Sequence, residues 1–507
     1  MPGRCVRCTL MVLWLGSPIG PLSAQAPEGR SRDRLERFAE AFSTGDSATM
    51  SRFVQASFAT SFLTAMPLRT HLLLLRHMYE ASGGWHAVQV TSATDSDATA
   101  LVRDRKSGAS SRVSIRLEAS PPYGISDLSV ERVSAGPTAP HPVRRPESDA
   151  QLGARLDSML RRLASHDSLS GAVLVARGDT IVFARAYGLA ERNWLVPNTV
   201  ETRFNLASMA KMFTAVAIAQ LIEQGKVRLD DPIARHLGQI LPGHAGDRIQ
   251  VRHLLSHTSG LGDYLNDPRW ERGNQAEYRV VDDYLPLLAH DSGSFAPGTR
   301  YSYSNSGYVL LGKVIEAVSG EAYDRYVTAH VFRPAGMMSS GFFSLDSVAS
   351  RLAVGYVRED RGGTALWSNN LFQHVVKGGP AGGSFSTVGD LHRFARALQA
   401  GRLVSPALVR LLLAPKPELG ARSYGFGFAT SDSARVVGHA GGFPGIVGNL
   451  DMFSGSDVIT VVLGNLTLGH SGAGATLAID ELRAWLGDTR PAPGGEASGS
   501  SKPAPGH

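Results

Sequence analysis

Between Met209 and Ile222 the chain reads MAKMFTAVAIAQLI, a run of small and apolar side chains broken only by Lys211, Thr214 and Gln220. Such a segment has no polar face to turn to water, and a helix apolar all round is covered on every side, in the middle of a domain. Gly225 is a suitable stop. Whatever this chain folds into must therefore be built around 209–222, with enough sequence on both sides to enclose it. The 507 residues supply that and more, since a chain of this length divides into two or three domains.

The flanking segments predict how the enclosure is made. A helix is expected over 152–164, then strands over 171–177 and 180–187 joined at Gly178-Asp179, a hairpin signal. Downstream, strands are expected near 434–438, 446–453 and 457–464, followed by a closing helix over 473–486. Strands at both ends with helices between them imply one antiparallel sheet assembled from the two ends of a domain and packed against a helical region. This main domain is placed at 150–488.

Upstream, Leu35, Phe38, Ala39 and Phe42 share one helical face before the Gly45-Asp46 break. Further helices are expected over 48–62 and 68–81. After Gly83-Gly84 the pattern becomes strand-like over 85–91, 98–103, 111–117 and 125–132. Helices followed by a four-stranded meander form a small α+β domain over 31–134. Its architecture resembles the cystatin-like cone of nuclear-transport-factor-like domains. Such cones can enclose a ligand, but the sequence shows no convergent set of polar residues here, so a packing or accessory role is expected. Residues 135–149 (AGPTAPHPVRRPESD) have the composition of an extended linker, and 489–507 that of a disordered tail.

The first 26 residues read as a cleaved export signal: Arg4 and Arg7, an apolar stretch over 9–15, then Ala24-Gln25-Ala26, with the cut after Ala24 or Ala26. Gly16, Pro18, Gly20 and Pro21 break that stretch well short of the ~20 residues a membrane span needs, so the mature chain is expected in the periplasm or outside the cell without a stable span. Cys5 and Cys8 both lie in this segment, so its removal leaves no thiol for disulfides, thiolate metal sites or nucleophilic catalysis. The net charge of +6 is dispersed, and no basic run is interleaved with aromatics, which argues against nucleic-acid binding.

Ser208, at the start of the apolar helix, is by itself a helix cap, since hydroxyl residues are favoured there. Lys211 changes that reading. It lies three residues on, on the same helical face as Ser208. A buried lysine is costly unless paired, and burial lowers its pKa by up to ~3–5 units. An amine that gives up its proton readily, beside a hydroxyl, is what activation of a serine nucleophile needs, and the helix N-terminus favours negative charge on the serine oxygen. Of the seven lysines in the chain, Lys211 alone has a serine three residues before it.

Downstream, Tyr303-Ser304-Asn305 places a phenol and an amide two residues apart in a polar loop ahead of an apolar helix. Tyr264-Leu265-Asn266 has the same spacing but no helix behind it to hold it rigid. For the other side of a cleft, His439-Ala440-Gly441-Gly442 follows a strand-like segment. Glycines on an edge strand let a substrate approach closely, and a free N–H there serves an oxyanion hole. His244 and His470 share the His-x-Gly pattern but not the position at the head of the last strands.

Ser208-Met209-Ala210-Lys211, Tyr303-Ser304-Asn305 and His439-Ala440-Gly441, in that order, resemble the three motifs of the serine β-lactamase and penicillin-binding superfamily, the class C-like branch above all. The stretches 254–261 (LLSHTSGL), Pro297-Gly298-Thr299 and 382–391 (GGSFSTVGDL) add to the likeness, which covers about 150–488. The resemblance implies an α+β transpeptidase-like fold: a five-stranded antiparallel sheet against helices, with an all-α region. It implies an acyl-enzyme formed on a serine and released by water. Ser208 would be the nucleophile, Lys211 the general base or proton relay, and Tyr303 the proton shuttle to the leaving group. Asn305 would anchor Lys211 and substrate, and the N–H groups of Ser208 and Gly442 would form the oxyanion hole. His439 departs from the lysine often found in the third motif. A largely neutral imidazole points away from β-lactams and toward esters, D-amino-acid peptides or amides as small-molecule or peptide substrates. No cofactor is implied, and no HExxH accompanies His439 to make a metal site. The alternative is a non-catalytic binding or sensing protein that uses the same cleft for cell-wall material or peptides. The sequence carries no signal for oligomeric state.

Overall fold

The computed structural model describes residues 29–65, 68–106, 110–133, 146–361, 364–431, 435–468 and 472–487. The expected signal over 1–26, most of the expected linker, the expected tail over 489–507 and His470 lie outside the described residues. The chain divides into two units, one made of Met1–Phe62 with Gly84–Arg132 and the other of Leu63–Gly83 with Val133–His507.

In the first unit, α1 (Arg30–Ser43) buries Leu35, Phe38, Ala39 and Phe42, the four positions its spacing marks as one face. Asp46 caps α2 (Ser47–Ser57) by accepting from the N–H groups of Ala48 and Thr49. The helix expected to run on to residue 62 instead stops at Phe58, which turns extended and bridges Ile125, while Ala59 N–H donates to Ile125 O at 2.9 Å. A tertiary strand contact there outweighs local helix preference. Strands β1 (Trp85–Ala93), β2 (Asp97–Asp104), β3 (Ser110–Leu117) and β4 (Ile125–Val133) lie in that order in one sheet. Phe42 packs on Trp85 with ring centres 4.1 Å apart.

The second unit holds the apolar helix. Ser148 caps α3 (Asp149–Ser165), which leads into β5 (Gly171–Arg177) and β6 (Thr180–Tyr187). A 3-10 turn (Ala207–Ala210) then runs into α4 (Lys211–Glu223). Short helices between Ala234 and Leu288 form an irregular helical region ahead of α5 (Asn305–Ser319) and α6 (Val388–Gln399). The chain ends this unit with β7 (Ala429–Ser431), β8 (Val436–Phe443), β9 (Ile446–Phe453), β10 (Val458–Gly464) and α7 (Ala473–Leu486).

The sheet order is β7-β8-β9-β10-β5-β6, antiparallel throughout. The β5–β10 pair joins Gly171 to Gly464 and Arg177 to Val458, so the two ends of the domain meet in one sheet as expected. Four of the five long strands lie where expected, while β8, expected near 434–438, runs over Val436–Phe443. The sixth, β7, is only three residues long and carries too little alternation to be read from sequence. Alternate residues serve opposite faces: Val173, Val175, Val458 and Val462 pack with Leu152, Leu156, Ala478 and Leu482 of α3 and α7. Ala172, Leu174, Ile459, Val461 and Leu463 pack on the other face with α4 and its neighbours. From Lys211 to Ala219 every residue of α4 is buried, which is why this stretch has no polar face. Among the described residues no helix is long and apolar enough to cross a membrane.

Candidate active site

Ser208 lies in the 3-10 turn ahead of α4, and no side chain caps that turn or α4. The capping role that its position alone suggests is therefore not the one it has. The turn is held from outside: Leu206 N–H donates to Ser384 O at 2.8 Å, Gly383 N–H to Ala207 O at 3.2 Å, and Ala207 N–H to Asn205 Oδ1 at 2.9 Å. Ala207, just before the serine, has a φ of 44°, a left-handed conformation that a residue with a Cβ adopts only when its surroundings impose it.

One turn on, the fully buried Lys211 sends its amine to three oxygens. Nζ lies 2.6 Å from Asn305 Oδ1, 2.5 Å from Ala381 O and 3.2 Å from Ser208 Oγ. Burial pulls its pKa down to about 7, and the nearby Asp263 carboxylate opposes that pull. A neutral amine has two N–H donors and one lone pair. With the amide and carbonyl oxygens taking the donors, the lone pair is left for the Ser208 hydroxyl.

Asn305 opens α5 rather than sitting in an extended loop; Ser304 is the cap, accepting from Gly307 N–H. Asp263 fixes which way the amide points. It accepts from Asn305 Nδ2 at 2.7 Å and from Asn305 N–H at 3.1 Å, which leaves Oδ1 toward Lys211. Burial raises the Asp263 carboxyl above its ordinary value, with its backbone and side-chain donors working the other way. Tyr303 sits beside this pair, its ring centre 4.9 Å from Lys211 Nζ. Burial pushes its phenol well up, partly offset by its interaction with the Ser208 hydroxyl.

The rival Tyr264-Leu265-Asn266 forms a 3-10 turn capped by Asp263, so its phenol and amide do not share one side. Tyr264 and Leu265 do line the cleft, where Tyr264 meets Trp270 and Tyr284 edge-on. His244 is exposed and paired with Asp247, at 3.0 Å.

The third motif is part of β8, not a segment following a strand. Gly442 lines the cleft with Ser208. Gly441 faces the other way: a Cβ there would fall 2.1 Å from Leu206 O, so this glycine lets the strand press against the serine-bearing turn. His439, two residues earlier on the same face of β8, is buried. Its Nδ1–H donates to Ala440 O, so Nε2 accepts from Tyr424 O–H at 2.8 Å. Burial pushes the imidazole down to about 3, which keeps it neutral.

The cleft encloses about 660 Å³, its open mouth included. Ser208, Asn305 and Gly442 line it together with the loop Gly379–Gly383, Val375, Phe443 and Ile446. Among the described residues, no group of three or more His, Cys, Asp or Glu is placed to hold a metal ion. Sequence reasoning missed Asp263, the Ala381 carbonyl and His257. His257 lies in the family-like 254–261 stretch. Asp263 is two residues past its end, so that stretch was the available signal for both.

A family model described as beta-lactamase matches residues 156–484. Penicillin-binding protein 4* of Bacillus subtilis is 32% identical over 307 residues, which cover 57% of this chain and 66% of that protein. Esterase EstB of Burkholderia gladioli is 36% identical over 219 residues, covering 41% of this chain and 55% of the esterase. Among solved structures, a penicillin-binding protein from Bacillus halodurans is 33% identical with a TM-score of 0.57, covering 64% of this chain and 98% of that one.

Proposed function

The chain belongs to the beta-lactamase family and is a serine hydrolase of that superfamily, and on that premise we propose that it is an exported hydrolase that forms an acyl-enzyme on Ser208 with ester or amide substrates. The observation that carries this reading is the Lys211 amine, held 3.2 Å from Ser208 Oγ by two other oxygens and brought to a pKa of about 7 by burial. In the first half-reaction Ser208 Oγ bonds to the substrate carbonyl carbon while Lys211 takes the hydroxyl proton. The N–H groups of Ser208 and Gly442 meet the oxygen that becomes negative. The bond to the alcohol or amine then breaks, and Tyr303 relays the proton to the departing group. In the second half, water adds to the acyl carbon, its proton passes back through the same groups, and the Ser208 O–C bond breaks to release the acid.

Esters and D-amino-acid amides or peptides are favoured over β-lactams, because His439 supplies no positive charge and is turned onto Tyr424. The esterase relative of Burkholderia gladioli supports the ester side of this choice. The apolar stretch and small residues near the N-terminus support export.

Labelling with a fluorophosphonate tests the reading. The wild-type chain should take up one label and Ser208→Ala none. A wild-type protein that takes up no label and hydrolyses no activated ester would be a non-catalytic binder using the same cleft.

A further inference from the structure

Among the described residues lining the cleft beside Ser208, none is lysine, arginine, aspartate or glutamate. The His374 imidazole there donates Nδ1–H to Val375 O at 2.9 Å and is held neutral by burial. One wall is aromatic. Tyr264, Trp270 and Tyr284, backed by Tyr278, interlock with neighbouring ring centres 4.9 to 5.1 Å apart, and all four are nearly buried. Rings that already brace one another form a preformed surface, so an apolar group docking there reorders little.

We propose that the acyl portion of the substrate is uncharged and carries an aromatic or similarly bulky apolar group seated against Tyr264, Trp270 and Tyr284. This substrate class rests on the acyl-enzyme reading above. The acyl group stays tethered to Ser208 through both half-reactions, so contacts on that side serve acylation and deacylation alike. A carboxylate in the same place would lose its water with no cation to meet it.

The test compares kcat/KM for p-nitrophenyl phenylacetate, p-nitrophenyl acetate and the mono-p-nitrophenyl ester of glutaric acid, in the full chain and in Trp270→Ala. The wild type should favour phenylacetate over the glutarate ester at least about tenfold, and Trp270→Ala should cut the phenylacetate-to-acetate ratio about tenfold. The charge comparison needs no variant and stands even if Trp270→Ala does not fold. If the fluorophosphonate labels Ser208 but the glutarate ester reacts as fast as phenylacetate, the substrate class is overturned and the acyl-enzyme survives. A folded Trp270→Ala with an unchanged ratio overturns it in the same way. With no labelling and no turnover of any ester, the acyl-enzyme reading falls and takes the substrate class with it.

Behind Tyr303 lies a separate arrangement. His257, fully buried with a φ of 58°, grips the backbone on both sides of the tyrosine: its carbonyl accepts from Ser302 N–H at 2.8 Å and its Nδ1 from Ser304 N–H at 3.1 Å. Its ring lies against Tyr303 with centres 4.1 Å apart, among Tyr301, Tyr308 and Tyr424. With Nδ1 accepting, the proton is on Nε2, a buried donor with no hydrogen-bond partner among the described residues. Leaving such a donor unpaired is costly, and a residue chosen only for packing would avoid that cost. We also infer that His257 is a positioning residue that sets the Tyr303 phenol relative to Ser208 and Lys211.

His257→Ala should lower kcat for p-nitrophenyl acetate about 10- to 100-fold while KM stays within about twofold, because His257 is fully buried against Tyr303. Asparagine tolerates the left-handed conformation and offers an oxygen to Ser304 N–H, so His257→Asn should recover part of the loss. Wild-type kcat in His257→Ala, an asparagine variant no better than alanine, or failure of both variants to fold would each overturn this role.

Discussion

At the scale of single residues, the Lys211 amine sets the pH behaviour. Its folded pKa is about 7 against an ordinary 10.5, so it is neutral above pH 7 and charged below. Acylation that needs the neutral amine should rise with pH through an apparent pKa near 7, read from pre-steady-state release of p-nitrophenol. Stability follows the same proton. Between pH 7 and 10.5 the unfolded chain binds a proton that the folded one does not, so stability rises as pH rises across that window, by roughly 4 kcal/mol in total. Denaturant melts of Lys211→Met should lack this slope. Asp263 opposes the lowering of that pKa. In Asp263→Asn the acid limb should therefore move to lower pH, while the rate at its plateau falls about tenfold as the Asn305 amide loses its anchor; an unmoved limb would show that the carboxylate does not act on Lys211. The Ser208 and Lys211 pairing was legible because both partners sit within one helical turn. Asp263 and Ala381 were not. One acts through an amide 42 residues away and the other through a backbone oxygen that any residue type would supply.

Among the elements, β8 shows what sequence reading can and cannot reach. The four residues His439 to Gly442 were recognisable as a unit, but which face each presents depends on the strand's register against β9 and on the serine-bearing turn beside it. Hence Gly441, read as bordering substrate, is packed against Leu206, and His439 is buried on the same side. Two glycine substitutions separate the roles. Gly441→Ala drives a methyl group into the Leu206 carbonyl and should cost about 3 kcal/mol in a thermal or denaturant melt. A Cβ at Gly442 meets nothing within 4 Å among the described residues, so Gly442→Ala should melt close to wild type. The helix boundary at Phe58 has the same lesson: its pairing with Ile125, 67 positions further on, leaves no trace in the local pattern.

For the second unit as a whole, the closing helix is fastened as well as packed. Arg483 of α7 forms two hydrogen bonds to the buried Asp451 carboxylate of β9, at 2.7 and 2.9 Å. Arg483→Ala strands that carboxylate and should cost about 3 kcal/mol, lowering Tm by several degrees. The architecture itself was the most legible part, because strands over 171–187 and 446–464 with an all-apolar helix between them admit few arrangements.

The β5–β10 pair has a consequence for how the chain comes to be folded. Gly171 is synthesised long before its partner Gly464, and until β10 leaves the ribosome β5 has one neighbouring strand instead of two. Non-local pairing of this kind closes late and slowly, so the nascent domain stays open for most of its synthesis. On the proposed export of the chain, that open state is one a membrane channel for unfolded polypeptides could still thread.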